Sequence, residues 1–143
     1  MMDAVLADTG PLYAAVDPRD AFHEQAVAEI RKLARERRRV VVPYPILLEA
    51  HAMVRRRLGR SAASDWLADM LDTALINPTP EDYRQAVAKI GALADQPVTL
   101  FDVAVLATRL RLEVWTYDHH FDVMRQSLAV RLSEGRRERR MTP

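Results

Sequence analysis

Four short apolar runs, Val5-Leu6-Ala7, Val40-Val41-Val42, Ala74-Leu75-Ile76 and Val114-Trp115-Thr116-Tyr117, are separated by stretches whose apolar residues recur at helical spacing. Few folds accommodate that alternation. Runs this short, rich in β-branched residues and without polar alternation, suit strands buried on both faces. Helices between such strands demand crossovers, and right-handed crossovers bring the C-terminal ends of parallel strands to one edge. The expected architecture is α/β: a doubly wound, mostly parallel sheet of about five strands with helices on both faces, the last strand falling within Leu128 to Leu132. Residues 1–133 carry this pattern as one domain, since 143 residues suffice for a single core. Residues 134–143 form an Arg-rich tail without apolar periodicity, expected to be frayed.

The helices have recognisable punctuation. Val5 to Ala7 runs into Asp8-Thr9-Gly10-Pro11, a turn leading to a helix start. Phe22, Ala26, Ile30 and Leu33 recur at helical spacing over Ala21 to Arg37, in a segment closing in a basic run. Pro43 and Pro45 end the second strand and open a helix over Ile46 to Leu58, punctuated by Gly59. Ser61 reads as the cap of the next helix, with Trp66, Leu67, Met70 and Leu71 facing inward. Thr79-Pro80-Glu81 starts a helix through Tyr83, Val87, Ile90 and Leu93, Thr99 starts another to about Arg111, and His119 to Gln126 suggests a short one.

Composition narrows the chemistry. The chain has no cysteine, which excludes disulfides, thiolate nucleophiles and zinc-thiolate sites, so a metal would rest on carboxylate oxygen or imidazole. No apolar run approaches the roughly 18 residues that span a bilayer, and Met1-Met2-Asp3 lacks the basic start and apolar stretch of a secretion signal, so the expected location is cytoplasmic, with no membrane partner. The net charge of +1 does not by itself mark a nucleic-acid binder. Its distribution is more telling, because all basic residues but Lys32 and Lys89 are Arg, bunched at 35–39, 55–57 and 136–140. Guanidinium groups match phosphate well, although solvated helix faces would look the same.

Four carboxylates form the candidate site. Asp8 follows strand one and Asp118 follows strand four, where each could simply cap a helix. Asp102, in Thr99-Leu100-Phe101-Asp102, has the spacing of a capping box. Glu49 resists such a reading, since Ile46 and Met53 place it in an apolar stripe where a lone charge is costly and needs an Arg or a metal. As a set, all four can converge at the C-terminal edge of the sheet. Crowded carboxylates repel unless a cation intervenes, and hard oxygen ligands suit Mg²⁺ or Mn²⁺. Such ions activate water and stabilise the leaving oxygen of a phosphodiester.

Val-Leu-Ala-Asp8-Thr-Gly-Pro-Leu, Ile-Leu-Leu-Glu49-Ala, Leu-Phe-Asp102-Val-Ala-Val-Leu-Ala and Val-Trp-Thr116-Tyr-Asp118-His-His-Phe121-Asp122 resemble the ordered motifs of PIN-domain ribonucleases, in particular VapC-type toxins of toxin-antitoxin systems, over nearly the whole chain. The resemblance implies a PIN-like doubly wound fold, Mg²⁺- or Mn²⁺-dependent endoribonuclease activity, and inhibition by a small antitoxin that also binds operator DNA. It implies Asp8, Glu49, Asp102 and Asp118 as the catalytic quartet and metal ligands, with Thr116 in a supporting role. Where many relatives carry an acid two residues after the last Asp, this chain has His120, leaving Asp122 as a further candidate ligand and His120 as a candidate supporting residue.

Competing readings are fewer. An aspartyl phosphatase needs a second Asp two residues after the first, and that position is Gly10. Ser61 and Ser64 have no base beside them in sequence. A catalytically inactive PIN-like domain binding RNA or protein is the remaining alternative. The apolar surplus of the two helices between strands two and three suggests a homodimer.

Overall fold

The structure, a computed structural model, describes residues 3–90, 98–119 and 131–132. His120, Asp122, most of the short helix expected over 119–126 and the tail 134–143 lie outside the described residues. The chain order is β1 (Ala4–Ala7), α1 (Thr9–Val16), α2 (His23–Arg35), β2 (Arg39–Pro43), α3 (Tyr44–Leu58), α4 (Arg60–Met70), β3 (Ala74–Ile76), α5 (Pro80–Ile90), α6 (Val98–Leu110), β4 (Glu113–Trp115) and β5 (Arg131–Leu132). The strands pair in parallel in the order β3-β2-β1-β4-β5. The sheet is therefore the parallel one that the apolar runs predicted, with its last strand reduced to two residues.

The order places β1 in the centre. From β1 the chain winds outward through β2 to β3, then returns across the sheet to β4 on β1's other side. The crevice at the C-terminal ends of β1 and β4 is thus the point where the winding reverses, where open α/β sheets hold their ligands. Register fixes what meets there. Leu6 pairs with Val114 and Ala7 with Trp115, and the Asp8 N–H donates to the Trp115 carbonyl at 3.0 Å. Asp8 and Thr116 consequently leave the sheet side by side.

All four β1 residues are buried, and the core around them includes Tyr13, Ile46, Phe101, Leu106 and Trp115. Gly59, with φ at +96°, separates α3 from α4 in a conformation that a side chain would strain. It is also the cap position of α4, which begins at Arg60, so Ser61 lies inside that helix rather than capping it. Three expected core positions are exposed. Leu71 lies just beyond α4, and Phe22 precedes the first turn of α2, so neither follows its helix's buried stripe; Ile30 is likewise exposed, leaving Ala26 and Leu33 as the buried residues of α2. No helix among the described residues is long and apolar enough to cross a membrane.

Candidate active site

Asp8 is the N-cap residue of α1 by position, yet its side chain makes no capping hydrogen bond. The local sequence explains this in part, because the third helical position is Pro11, which has no N–H to offer. The carboxylate instead accepts from the Thr116 hydroxyl, with Oγ1 2.8 Å from Oδ2. Thr116 Oγ1 in turn accepts from the Asp118 backbone N–H at 2.9 Å, so one buried hydroxyl ties together the segments leaving β1 and β4. Burial pushes the Asp8 carboxyl up to about 6. The Thr116 hydroxyl and the Thr9 backbone pull it down, while the charges of Asp118 and Glu49 push it up.

Glu49 reaches this place from α3, half-buried as its apolar stripe demanded. With Met53, one turn on, it lines a cleft of ≈ 320 Å³ that also contains Asp8, Asp118 and Tyr117. Three of the four expected acids therefore share one cleft at the sheet's switch point. Asp102 does not line it. It stands on α6, only 2% exposed, and borders another cavity of ≈ 470 Å³ with Tyr44, Leu48 and Tyr83. Helix α3 contributes side chains to both hollows. The capping box expected at Thr99 is not what positions Asp102, because α6 already starts at Val98.

Asp102 is unusual in its bonding. Its buried Oδ1 has no hydrogen-bond partner among the described residues, and burial, reinforced by the neighbouring Asp82 charge, pushes its carboxyl up to about 6. Asp82 itself escaped the sequence reading. The Arg109 fork holds it at 2.8 and 2.7 Å, and it exchanges 2.9 and 3.1 Å hydrogen bonds with Thr79 in a capping box at the start of α5. Burial opposes its charge, but Arg109 and Thr79 outweigh that and hold the carboxyl below its usual range. The Thr79-x-x-Asp82 spacing was the available signal for the box, whereas the partner 27 residues away was not visible.

The α1–α2 loop was also missed as a source of site residues. Asp17 accepts from the Tyr13 hydroxyl and, at 2.9 Å, from the Arg19 N–H, and Asp20 accepts from the Phe22 N–H at 2.9 Å. His23 Nδ1 lies 2.7 Å from the Ala14 carbonyl. Phe22, delivered by this loop, lines the acidic cleft together with Asp20.

Among the described residues no group of three His, Asp or Glu side chains is gathered tightly enough to hold an ion as it stands. In kind, however, the donors fit a hard divalent cation. They are all oxygen, Asp8 is crowded by two further acids, and Asp102 keeps a buried oxygen unmatched.

No family model and no curated protein matches the sequence. Solved structures do. VapC20 of Mycobacterium tuberculosis, a sarcin-ricin loop cleaving toxin, superposes with a TM-score of 0.72 at 19% identity, covering 84% of this chain and 94% of that one. VapBC2 of Rickettsia felis, bound to a DNA fragment from their promoter, gives 0.67 at 11% identity, with 91% and 97% covered. FitAcB of Neisseria gonorrhoeae gives 0.64 at 16%, with 92% and 97% covered. The chain has the fold of these three structures, the PIN-type fold that its motifs implied.

Proposed function

We propose that the protein is an Mg²⁺- or Mn²⁺-dependent endoribonuclease, the toxin of a toxin-antitoxin pair. One observation carries the reading: Asp8, Glu49 and Asp118 line a single cleft at the sheet's switch point, and Asp8 is held by Thr116 instead of capping its helix.

In this reading Asp8, Glu49 and Asp118 would hold the cation, and Asp102 is the remaining acid of the set although it borders a separate cavity. A bound divalent ion would supply a water of lowered pKa and positive charge for the phosphate. Thr116 keeps Asp8 oriented and favours its charged form, and its second hydrogen bond fixes the backbone of Asp118. Asp8, Glu49 and Asp118 are partly buried and Asp102 fully so, which limits the water that competes for their oxygens. The fold shared with VapC20, a toxin that cleaves RNA, supports the reaction class. The fold shared with VapBC2 and FitAcB supports a small antitoxin as partner. Exposed Leu48 and Leu71, at the two helices with an apolar surplus, support a homodimer, and the cytoplasm is the compartment in which RNA would be met.

Cleavage of a mixed RNA pool tests the proposal. The wild type should cut with Mg²⁺ or Mn²⁺ and stop when the metal is chelated, and Asp8→Asn should lower the rate by about 100-fold or more while remaining folded. Asn is nearly isosteric but brings a neutral oxygen. A variant cutting at the wild-type rate would remove Asp8 from the active site.

A further inference from the structure

Arginines gather at the edge of the sheet opposite the acidic cleft, where the strands begin. Arg35 ends α2, Arg37 and Arg38 lead into β2, Arg39 is its first residue, and Arg111 stands two residues before β4. Because β2 and β4 flank β1, their starts lie about 10 Å apart, two strand spacings. Arg38 spans that gap, donating to Asp3 at 2.9 Å and to Glu113 at 3.4 Å. Arg35, Arg37 and Arg39 are exposed and enter no salt bridge among the described residues, and Glu36 is the only acid within 35–39.

Two of these arginines occupy positions where glycine is usual. Arg37 has φ at +57° and Arg111 at +56°, and among the described residues no other side chain is held in the left-handed region. Both helices end in the same way. The Arg38 N–H donates to the Leu33 carbonyl at 2.9 Å and the Arg37 N–H to Ala34 at 3.1 Å, and Leu112 and Arg111 repeat this on Ala107 and Thr108 at 3.0 and 3.4 Å. That closure needs a left-handed residue, which strains anything with a Cβ. A cation also suits the helix C-terminus, but Arg35 and Arg109 already serve that purpose from the last turns without strain. Strain kept at two places on one edge, with the same side chain each time, points to a use for the guanidinium. The opposite edge indicates which use. Among the described residues lining the cleft, Asp8, Asp20, Glu49 and Asp118 are acidic and none is Lys or Arg. A polyanion gains nothing from that wall beyond what a cation supplies, so its grip must come from elsewhere.

We infer that Arg35, Arg37 and Arg39, with the charge of Arg111 beside them, form a surface at the strands' N-terminal edge that grips RNA phosphates at a distance from the cleft. This rests on the nuclease reading above and specifies how a substrate that the cleft itself repels is held. Guanidinium forks match phosphate oxygens with paired N–H donors. The four residues of β1 put about 13 Å between the two edges at about 3.3 Å per residue, so an RNA must be long enough to pass from one to the other to use both.

The test compares the wild type with a triple variant carrying Arg35→Gln, Arg37→Gly and Arg39→Gln. Binding of a labelled thirty-nucleotide RNA is followed by fluorescence anisotropy in EDTA, where no metal-dependent cutting occurs. The triple variant should bind about 10-fold more weakly, and its slope of log affinity against log salt should flatten by about 2, at roughly 0.7 for each lost single-strand phosphate contact. With Mn²⁺, KM for the same RNA should rise about 10-fold while kcat is kept. Arg37→Gly alone separates grip from helix capping, because glycine is the better residue at that φ. It should leave the thermal midpoint at or above that of the wild type and still weaken RNA binding by about 3-fold. A capping role alone would leave binding unchanged. Unaltered RNA affinity in the triple variant would leave this edge to an acidic protein and overturn the inference, as would a fall in kcat at constant KM or an Arg37→Gly protein that is less stable but binds equally. Metal-dependent cutting with RNA affinity intact in the triple variant rejects the surface and leaves the nuclease standing. Binding that the triple variant loses, in a wild type that does not cut, rejects the nuclease and leaves the surface.

Discussion

Asp82 and Asp102 stand on neighbouring helices, each 2% exposed, and have opposite electrostatics. Asp82 has both oxygens matched by the Arg109 fork, with Thr79 adding a backbone donor, and its carboxyl sits low. Asp102 has Oδ1 unmatched and its carboxyl is raised to about 6. A buried carboxylate with its own cation from the chain serves the fold. One left without a partner costs stability, and a site that retains it has a use for the charge. Asp8 belongs with Asp102, since burial, Glu49 and Asp118 raise it and only neutral donors support it.

The sharpest way to break this contrast is to remove the matched acid. Asp82→Ala should destabilise the protein by about 2–3 kcal/mol, because it removes the carboxylate that accepts from the Thr79 N–H in the α5 capping box and leaves Arg109 without its fork, although Arg109 is partly exposed and can recover water. Urea unfolding measures the loss, and the protein that remains folded should retain RNA cleavage. Equal stability would mean that Asp82 is not a structural ion pair.

A smaller effect of opposite sign is expected at the unmatched acid. A carboxyl raised in the folded state binds its proton more tightly there than in the unfolded chain. Its stabilising contribution is therefore present below about pH 4 and lost as pH rises through about 6. Without metal, Asp102→Asn should equal the wild type near pH 4 and exceed it by about 1–2 kcal/mol at pH 7.5. Asp82, with its lowered carboxyl, behaves inversely, contributing above about pH 4 and losing that contribution in more acid solution. Unfolding curves across pH 4–8 for both single variants separate the two. Parallel pH dependence in Asp102→Asn and wild type would contradict the assignment.

The smallest change is expected at Thr116. Thr116→Val keeps the shape but removes the hydroxyl that supports Asp8's charge and accepts from Asp118, costing about 1 kcal/mol. The Asp8 carboxyl should rise further, moving the acid limb of the cleavage pH profile toward alkaline values. An unmoved limb would show that Thr116 does not tune Asp8.

The same contrast shows which parts of the molecule were legible in the sequence. Val40-Val41-Val42 and Val114-Trp115 announced buried parallel strands because strand burial is a local pattern, and Glu49 announced itself as an acid in an apolar stripe. Asp102 was read from its spacing, whereas Asp82, in the equivalent place three residues after Thr79, was not read at all. What separates them is Arg109, which reaches back 27 residues to Asp82, a tertiary fact without local signature. Phe22 was read as one face of a helix that begins after it, because periodicity does not mark where the first turn starts. Leu71 erred in the same way at a helix end. Asp102 borders a different cavity from the cleft shared by Asp8, Glu49 and Asp118, and spacing along the chain carries no trace of that.

Thermal unfolding with and without Mn²⁺, for wild type and Asp8→Asn, tests most directly whether the unmatched acids are there for a cation. Metal-free Asp8→Asn should be no less stable than wild type at pH 7.5, since removing one charge relieves the crowding by Glu49 and Asp118. Saturating Mn²⁺ should raise the wild-type midpoint by several degrees, as any ligand that binds only the folded state does, and should leave the variant nearly unmoved. Equal stabilisation of both proteins by Mn²⁺ would show that the cation binds elsewhere, and the acidic cleft would not be the metal site.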